Sequence, residues 1–531
     1  MNTKSVTRAS LLLVTLLLVT AAPLAAQGEN ILLYGGNQDI HIIDPAIGEN
    51  YSINAALRSL YDSLFINRGN DVLPLLVKDW SVDDSATVWT FNLHENAVFH
   101  DGSPVNADAV AYSFNRILEV NGPPNFRWGN IADENTVEAV DDYTVRFTLT
   151  EPFAPFIGTL TQLFVVNPAI VEENRVNSDG VDDFGREYLR STAAGSGPFT
   201  QGRWEIGNIY EFIAVQDYWA GWTGEDNLDG FFWIIQREGS TQLNSLLAGE
   251  THIADTILAS DKDQVIETEG FFLDESVGFF ANTLKMNTQG EYTSDINVRK
   301  AIAHAMNYPA LPEILDVRVT LLPGPTAEGF PGFVPDLDIA VYDLDKAREY
   351  LAMSPWPEGG FELDYVYVTD FTREEIPGLI LLEALRELNI TLNMVPTLWP
   401  DMVASCGDPA TGPDIINIYV LPPFSDPHAH LYNQYHSSQW TSGAGSYQSC
   451  SFYQNERVDE LLDEARSLGD QGQRMELYAQ AQTLIAEDQP SVWMYTEDSL
   501  TAFNECVKGF VFSPYYPITV LFQDLWMEDC G

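Results

Sequence analysis

Segments with a period of two and segments with a period of 3.6 alternate along nearly the whole of this 531-residue chain, with no internal repeat or low-complexity linker between them. "TVWTFNLHENAVF" sends Trp89, Phe91 and Leu93 one way and Thr90 and Asn92 the other, the pattern of a half-buried strand. "VEAVDDYTVRFTLTEP" reads as a hairpin turning at Asp141-Asp142, with Val145, Phe147 and Leu149 on one face. Between them, "NADAVAYSFNRILE" sets Val110, Phe114, Ile117 and Leu118 at helical spacing behind Asn106 as N-cap.

The alternation continues. "YDLDKAREYLAMSPWPEGGFELDYVYV" predicts a helix, a Pro/Gly loop and a strand, and "EEIPGLILLEALRELNITLNMV" a helix followed by a strand. Val458, Leu461, Leu462, Ala465 and Leu468 form one amphipathic stripe; Leu477, Tyr478, Ala481, Leu484 and Ile485 form a second, stopped by Pro490. The chain is therefore α/β, with its pieces interwoven. At about 150 residues per domain it is long enough for more than one, and 45% hydrophobic residues supply large cores.

Lys4 and Arg8, the apolar run "LLLVTLLLV" and the small residues of "APLAAQGEN" compose a secretory signal, residues 1–26, with cleavage expected after Ala26. The run is short for a membrane span, which needs about 20 apolar residues. No Cys follows it to carry a lipid anchor, so the mature chain is expected outside the cytoplasm, periplasmic or otherwise, and soluble. It keeps 24 of the 26 Lys and Arg against 77 Asp and Glu, a formal charge of −53. Such a surface repels nucleic acid and anionic membranes. A salty habitat that screens the self-repulsion, or a simply acidic secreted protein, both accommodate it. Cys406, Cys450, Cys506 and Cys530 allow three disulfide connectivities, of which proximity favours Cys406–Cys450 and Cys506–Cys530; no Cys/His spacing suggests zinc.

Five stretches, in order, carry a resemblance. "IIDPAIGENYSINAALRSLYDSLF" and "PLLVKDWSVDDSATVWTFNLHENAVFHDGSPVNADAVAYSFNRIL" come first, then "GSGPFTQGRWEIGNIYEFIAVQDYWAG" and "LKMNTQGEYTSDINVRKAIAHAMN". "YQNERVDELLDEARS…RMELYAQAQTLIAEDQPSVWMY" closes the series. Together they resemble the peptide/nickel class of extracellular solute-binding proteins that serve ABC importers. The resemblance implies a two-lobed periplasmic-binding-protein fold with hinge crossings and an extra subdomain beside the first lobe. It places the first lobe at 27–51, 186–281 and 495–531, the subdomain at 52–185 and the second lobe at 282–494.

The same resemblance nominates site residues. Asp426, in "FSDPHAHL", stands where peptide binders hold the ligand's α-ammonium, a role suited to offsetting a desolvated charge; its alternative is to cap the helix after Pro427. Trp399, in "TLWPDM", stands where the family has a cleft Trp, with Leu398 replacing the preceding Glu. An aromatic wall there suits peptide side chains or sugar faces, and the alternative is a core Trp. Tyr419-Val420 replaces the family's Gly-Trp pair, which makes Tyr419 a candidate contact. Thr369-Asp370 replaces the Arg that grips a dipeptide carboxylate, and Arg373 lies nearby but out of alignment. These departures favour a longer peptide or a neutral ligand. Gly197, in "GSGPF", is a candidate backbone contact, with packing between crossing strands the leading role. The loop lacks the Lys and spacing of a phosphate loop, and Ala194 breaks a Gly-x-Ser-x-Gly elbow.

"SDPHAHLYNQYH" puts one Asp and three His within twelve residues. After Asp-Pro a helix or turn is expected, on which His428 and His430 point apart, so no metal site is expected and the histidines are read as surface groups at a pocket edge. The implied function is an extracytoplasmic receptor, with no cofactor, that captures a peptide between closing lobes and presents it, as a monomer, to a membrane permease. An oligosaccharide or a nickel complex is the alternative ligand, and a secreted carboxylate-dependent hydrolase the rival class.

Overall fold

In the computed structural model the described residues are 30–528 and 530, apart from 179, 225–226, 442–446 and 516–519. The expected signal, 1–26, lies outside them.

Eleven strands form one large sheet. In chain order they are β1 (Ile31–Gly36), β2 (Phe199–Glu205), β3 (Ile209–Ala214), β4 (Gly230–Ile235), β5 (Ile253–Ala254), β6 (Phe271–Met286), β7 (Val319–Leu321), β8 (Phe361–Val368), β9 (Ile390–Thr397), β10 (Ile415–Val420) and β11 (Ser491–Asn504). Their spatial order is β2-β3-β4-β1-β5-β11-β6-β10-β8-β9, with β7 added on β11. The pairs β1–β4 and β8–β9 are parallel, as crossover connections require.

Two strands carry the architecture. β6 and β11 are 16 and 14 residues long, and they pair antiparallel through both halves of the molecule. Phe271–Ser276 pairs with Ser499–Asn504 in the first lobe, and Phe280–Lys285 with Ser491–Glu497 in the second. Register slips between Ser276 and Phe280. Gly278 sits in that bulge, and a Cβ there would fall 2.3 Å from the Glu497 carbonyl oxygen, so only glycine lets the strands approach. The borders expected at 281/282 and 494/495 lie on these two strands.

Each lobe has its own core. Tyr34, Phe199, Phe212, Phe231 and Trp233 lie in the first, and Leu284, Leu363, Tyr365, Leu381 and Ile415 in the second. The subdomain is a four-stranded antiparallel sheet of Val77–Val82, Val88–Leu93, Thr144–Thr148 and Val137–Asp141, covered by the helix Ala107–Val120. Trp89, Phe91 and Leu93 are buried there as the alternation predicts, and Asn106 Oδ1 accepts the Ala109 N–H at 3.0 Å. The two late stripes are the helices Glu456–Ser467 and Gln471–Asp488, the second ending at left-handed Gln489 before Pro490. Both expected disulfides, Cys406–Cys450 and Cys506–Cys530, form, with Cα atoms 4.8 and 5.1 Å apart.

The second lobe also touches the subdomain. Phe424 and Ala429 are buried among the subdomain's apolar residues, Arg466 pairs with Glu151, and the Ala154 N–H donates to the Arg466 carbonyl at 2.7 Å. The second lobe and the subdomain are thus in direct contact at this edge.

Candidate ligand cleft

The two crossing strands bring a polar cluster to the junction of the lobes. Side chains alternate along a strand, so Tyr495 and Glu497 of β11 share one face while Asp498 takes the other. Phe280 pairs with Glu497 across the ladder and Asn282 with Tyr419, the penultimate residue of β10. The Tyr419 ring stacks on Phe280 at 4.6 Å and meets Phe371 at 5.6 Å.

Glu497 is the charged centre of that face. Its Oε1 accepts the Tyr419 hydroxyl at 2.6 Å and its Oε2 the Arg373 guanidinium at 2.7 Å. The Tyr495 hydroxyl lies 2.9 Å from that of Tyr419 and donates to the Arg373 carbonyl at 3.1 Å, tying helix Thr372–Arg386 to the strand. Burial pushes the Glu497 carboxyl above its usual range, and Arg373 and Tyr419 pull it back. The Tyr419 hydroxyl is raised well above its ordinary value by burial, then by Glu497, and stays a proton donor. Glu374, one residue after Arg373, points inward instead; its Oε2 accepts the Val368 N–H at 2.7 Å, and burial raises it to about 7.

Tyr51 is the first residue of the helix Tyr51–Leu60. Burial raises its hydroxyl first, and Tyr447, Glu497 and Glu49 raise it further. Tyr447 in turn meets Trp399 edge-on at 5.2 Å. Trp399 opens the helix Trp399–Ser405 and is 44% exposed, so it is not a core residue. The Cys406–Cys450 disulfide joins the end of that helix to the turn that bears Tyr447.

The other nominated residues are engaged elsewhere. Asp426 caps the helix Pro427–Tyr435, its Oδ1 accepting the His428 N–H at 2.9 Å, and Arg474 Nη2 reaches both of its oxygens at 2.9 and 2.8 Å. Both partners are nearly closed to solvent, so a ligand ammonium would have to share this carboxylate with Arg474. Gly197 donates its N–H to Leu60 O at 3.1 Å and accepts from His100 Nε2 at 2.9 Å; a Cβ would fall 2.6 Å from backbone atoms of Ser59, Leu60 and Tyr61. Packing against the end of that helix requires the glycine.

The histidines correct the expectation of surface groups. The helix Pro427–Tyr435 forms as expected, but it is enclosed on nearly every side, and His428, His430 and His436 are all buried. Spacing distinguishes the faces of a helix, not whether another lobe covers them. His428 meets Phe153 of the subdomain at 5.0 Å; burial, then Arg466 and Arg474, keep it neutral, far below its ordinary range. His430 lies 2.9 Å from the Pro325 carbonyl and burial lowers it to about 3. His436 bonds Ser438 at 2.7 Å and faces Asp463 at 3.3 Å. His428 and His436 both pack on the Tyr432 ring, at 4.5 and 4.1 Å, and among the described residues no group of three or more His, Cys, Asp or Glu is placed to hold a metal.

Sequence reasoning missed Glu497, Tyr51 and Tyr447. One signal was present: in "SVWMYTEDSLTAFN" Glu497 and Asp498 are the charged residues of an otherwise uncharged strand. A charge inside such a run needs a partner or a function.

Residues 71–442 match the family described as bacterial extracellular solute-binding proteins, family 5 middle. The chain belongs to that family. A curated relative, the probable D,D-dipeptide-binding periplasmic protein of Escherichia coli (strain K12), is 27% identical over 513 residues, 94% of this chain and 96% of that one. Among solved structures, HbpA2 from Haemophilus parasuis superposes with a TM-score of 0.81 at 23% identity, over 94% of this chain and 100% of that chain. The ABC transporter-associated periplasmic binding protein DppA from Helicobacter pylori, in complex with the peptide STSA, gives 0.74 at 24%, over 94% and 98%. These likenesses are to the same two-lobed fold. Among the described residues of this solute-binding protein no helix is long and apolar enough to cross a membrane.

Proposed function

We propose that this protein captures peptides outside the cytoplasm and delivers them to the permease of an ABC importer, acting by binding alone and as a monomer. The observation that carries the reading is the aromatic face of Phe280, Tyr419 and Tyr495 around Glu497 on the crossing strands, together with the exposed Trp399 packed on Tyr447. A cleft with aromatic walls and few charged groups buries apolar side chains while fixing a ligand's polar ends. The Escherichia coli relative is named for a dipeptide, and the Helicobacter pylori neighbour holds a peptide, which supports the same class of ligand here.

In this reading Trp399 and Tyr419 are ligand contacts, while Asp426 and Gly197 are framework. The lobes rotate about the irregular pairing of 277–279 with 497–498, where the bulge interrupts the ladder. The test is thermal stability of the mature protein with a mixed pool of short peptides. A ligand present at one hundred times its Kd that binds only the folded state adds about 2.7 kcal/mol, a plain rise in Tm. A pool of oligosaccharides that raises Tm where the peptide pool does not would replace the reading.

A further inference from the structure

We infer that a second binding site lies between the subdomain and the first lobe, and that it takes a neutral sugar. A cavity of about 360 Å³ opens where the hairpin strands Phe65–Arg68 and Asp71–Pro74 meet residues 218–223 of the first lobe and Gln523 near the end of the chain. Small-molecule sites occupy roughly 300–1,000 Å³, so this one has room for about one or two sugar rings. No lining residue belongs to β6, β10 or β11, and neither Trp399 nor Tyr447 is among them. The site is therefore separate from the ligand cleft, and the inference does not depend on the peptide reading.

One wall follows from strand geometry. Residues two apart on a strand, and partners directly opposite on its neighbour, share a face. Arg68 follows Ile66 by two, and Leu73 pairs with Ile66, so these three line the cavity together. The other wall is aromatic and held in place. Asp62, two residues past the helix Tyr51–Leu60, accepts the Tyr218 hydroxyl at 2.5 Å and the Trp219 indole N–H at 2.7 Å. The Trp222 indole N–H donates to the Val215 carbonyl at 3.1 Å, and the His94 ring lies 5.6 Å from that of Trp219. With their N–H and O–H groups bonded to the framework, Tyr218, Trp219 and Trp222 offer rings already fixed before a ligand arrives.

The polar groups between these walls are unspent. Arg68 Nη2 pairs with Asp524 at 2.9 Å, but its Nε is buried with no acceptor among the described residues. Gln523 is 7% exposed, and its side-chain amide lines the cavity with no hydrogen-bond partner among the described residues. Buried donors and acceptors left unpaired cost free energy that a ligand's own polar groups recover. The charges decide which ligand does so. The lining holds one Arg and no Asp or Glu, and Asp524 already neutralises that Arg. An anion would stand beside Asp524 with no net positive charge to receive it, and a cation would meet Arg68. A sugar ring meets each feature without a charge. Its C–H face packs on an indole, a hydroxyl oxygen accepts from Arg68 Nε, and other hydroxyls both donate to and accept from the Gln523 amide.

The experiment uses the mature protein with D-glucose, D-galactose, N-acetyl-D-glucosamine and cellobiose, and with glucuronate and glucosamine as charged counterparts. Binding is titrated by saturation-transfer NMR for the wild-type protein, Arg68→Gln and Gln523→Leu. Gln523→Leu removes an amide that bonds nothing in the free protein, so its Tm should match the wild type. Expected is binding of at least one neutral sugar with a Kd on the order of 1 mM. Each variant should weaken it about three- to tenfold, the worth of one hydrogen bond. Both charged sugars should bind more weakly than that neutral one, and a saturating pool of short peptides should leave the sugar signal unchanged. No neutral sugar bound at up to about 10 mM overturns the inference. So does wild-type affinity in either variant, a charged sugar bound more tightly than every neutral one, or displacement of the sugar by peptides, which would put it in the cleft. If Arg68→Gln, which frees Asp524, does not fold, Gln523→Leu decides alone. The peptide reading is tested separately by the rise in Tm with peptides, which neither variant should change.

Discussion

Arg474 reaches both carboxylate oxygens of Asp426 through one nitrogen, at 2.9 and 2.8 Å, with both side chains more than nine-tenths closed to solvent. Removing one partner of such a pair strands the other charge, which costs about 3–5 kcal/mol, and loss of the helix cap adds about 1 kcal/mol. Asp426→Ala should therefore lower the midpoint of urea unfolding by that order while leaving peptide binding intact. A variant of near-native stability that no longer binds short peptides would give Asp426 the ammonium role.

Phe424 reaches from the second lobe into the subdomain's core, where its ring lies 3.2 Å from the position of a Cβ built on Gly158. His428 on Phe153 and Arg466 on Glu151 extend the contact. Burial of one Phe is worth about 1.5–3 kcal/mol, comparable to the gap between two populated states. Phe424→Ala should shift the ligand-free protein toward an open form, seen as a larger radius of gyration in small-angle scattering and a return toward the wild-type value with saturating peptide. An unchanged scattering profile would show that other contacts hold the closed edge.

What could be read from the sequence follows the range of the interaction. Trp89, Phe91, Leu93 and the Asn106 cap are local, set by the alternation of a strand and the first turn of a helix, and their placement was legible. The two disulfides were legible from proximity, because each closes a comparatively short loop. Partners that meet across the fold were not. Asp426 finds Arg474 48 positions later, and Arg373 finds Glu497 124 positions later. The composition around Asp426 states that it can cap a helix or bind a cation, and only the packing of a distant helix decides between them. The buried histidines belong to the same class, since the subdomain that covers His428 is built some 275 residues earlier in the chain.

The Cys406–Cys450 bond holds the two elements that carry Trp399 and Tyr447. Its loop of 44 residues gives about 4 kcal/mol of stabilisation in the chain-entropy picture. Replacing both residues by Ser should lower Tm and also weaken binding of peptides rich in aromatic side chains more than that of polar ones, because the wall loses its fixed spacing. Equal weakening for both peptide sets would assign the disulfide to stability alone.

Asp255 supplies a dependence on pH whose sign can be worked out. It is buried in the first lobe, where burial raises its carboxyl to about 7, against the opposing hydrogen bonds of the Asn37 N–H, at 3.2 Å, and Tyr34. In the unfolded chain the group titrates near 3.9. Between those values the folded protein keeps a proton that the unfolded chain has released, so this residue's contribution is full below about pH 4 and is lost as pH rises through 7. The loss is on the order of a few kcal/mol. Asp255→Asn carries no titrating proton and preserves the side chain's shape, so its Tm should fall less steeply than wild type between pH 4 and 7, with the two curves parallel above pH 8. Curves parallel over the whole range would mean that Asp255 is ionised in the folded protein at acid pH, held by partners stronger than Asn37 and Tyr34.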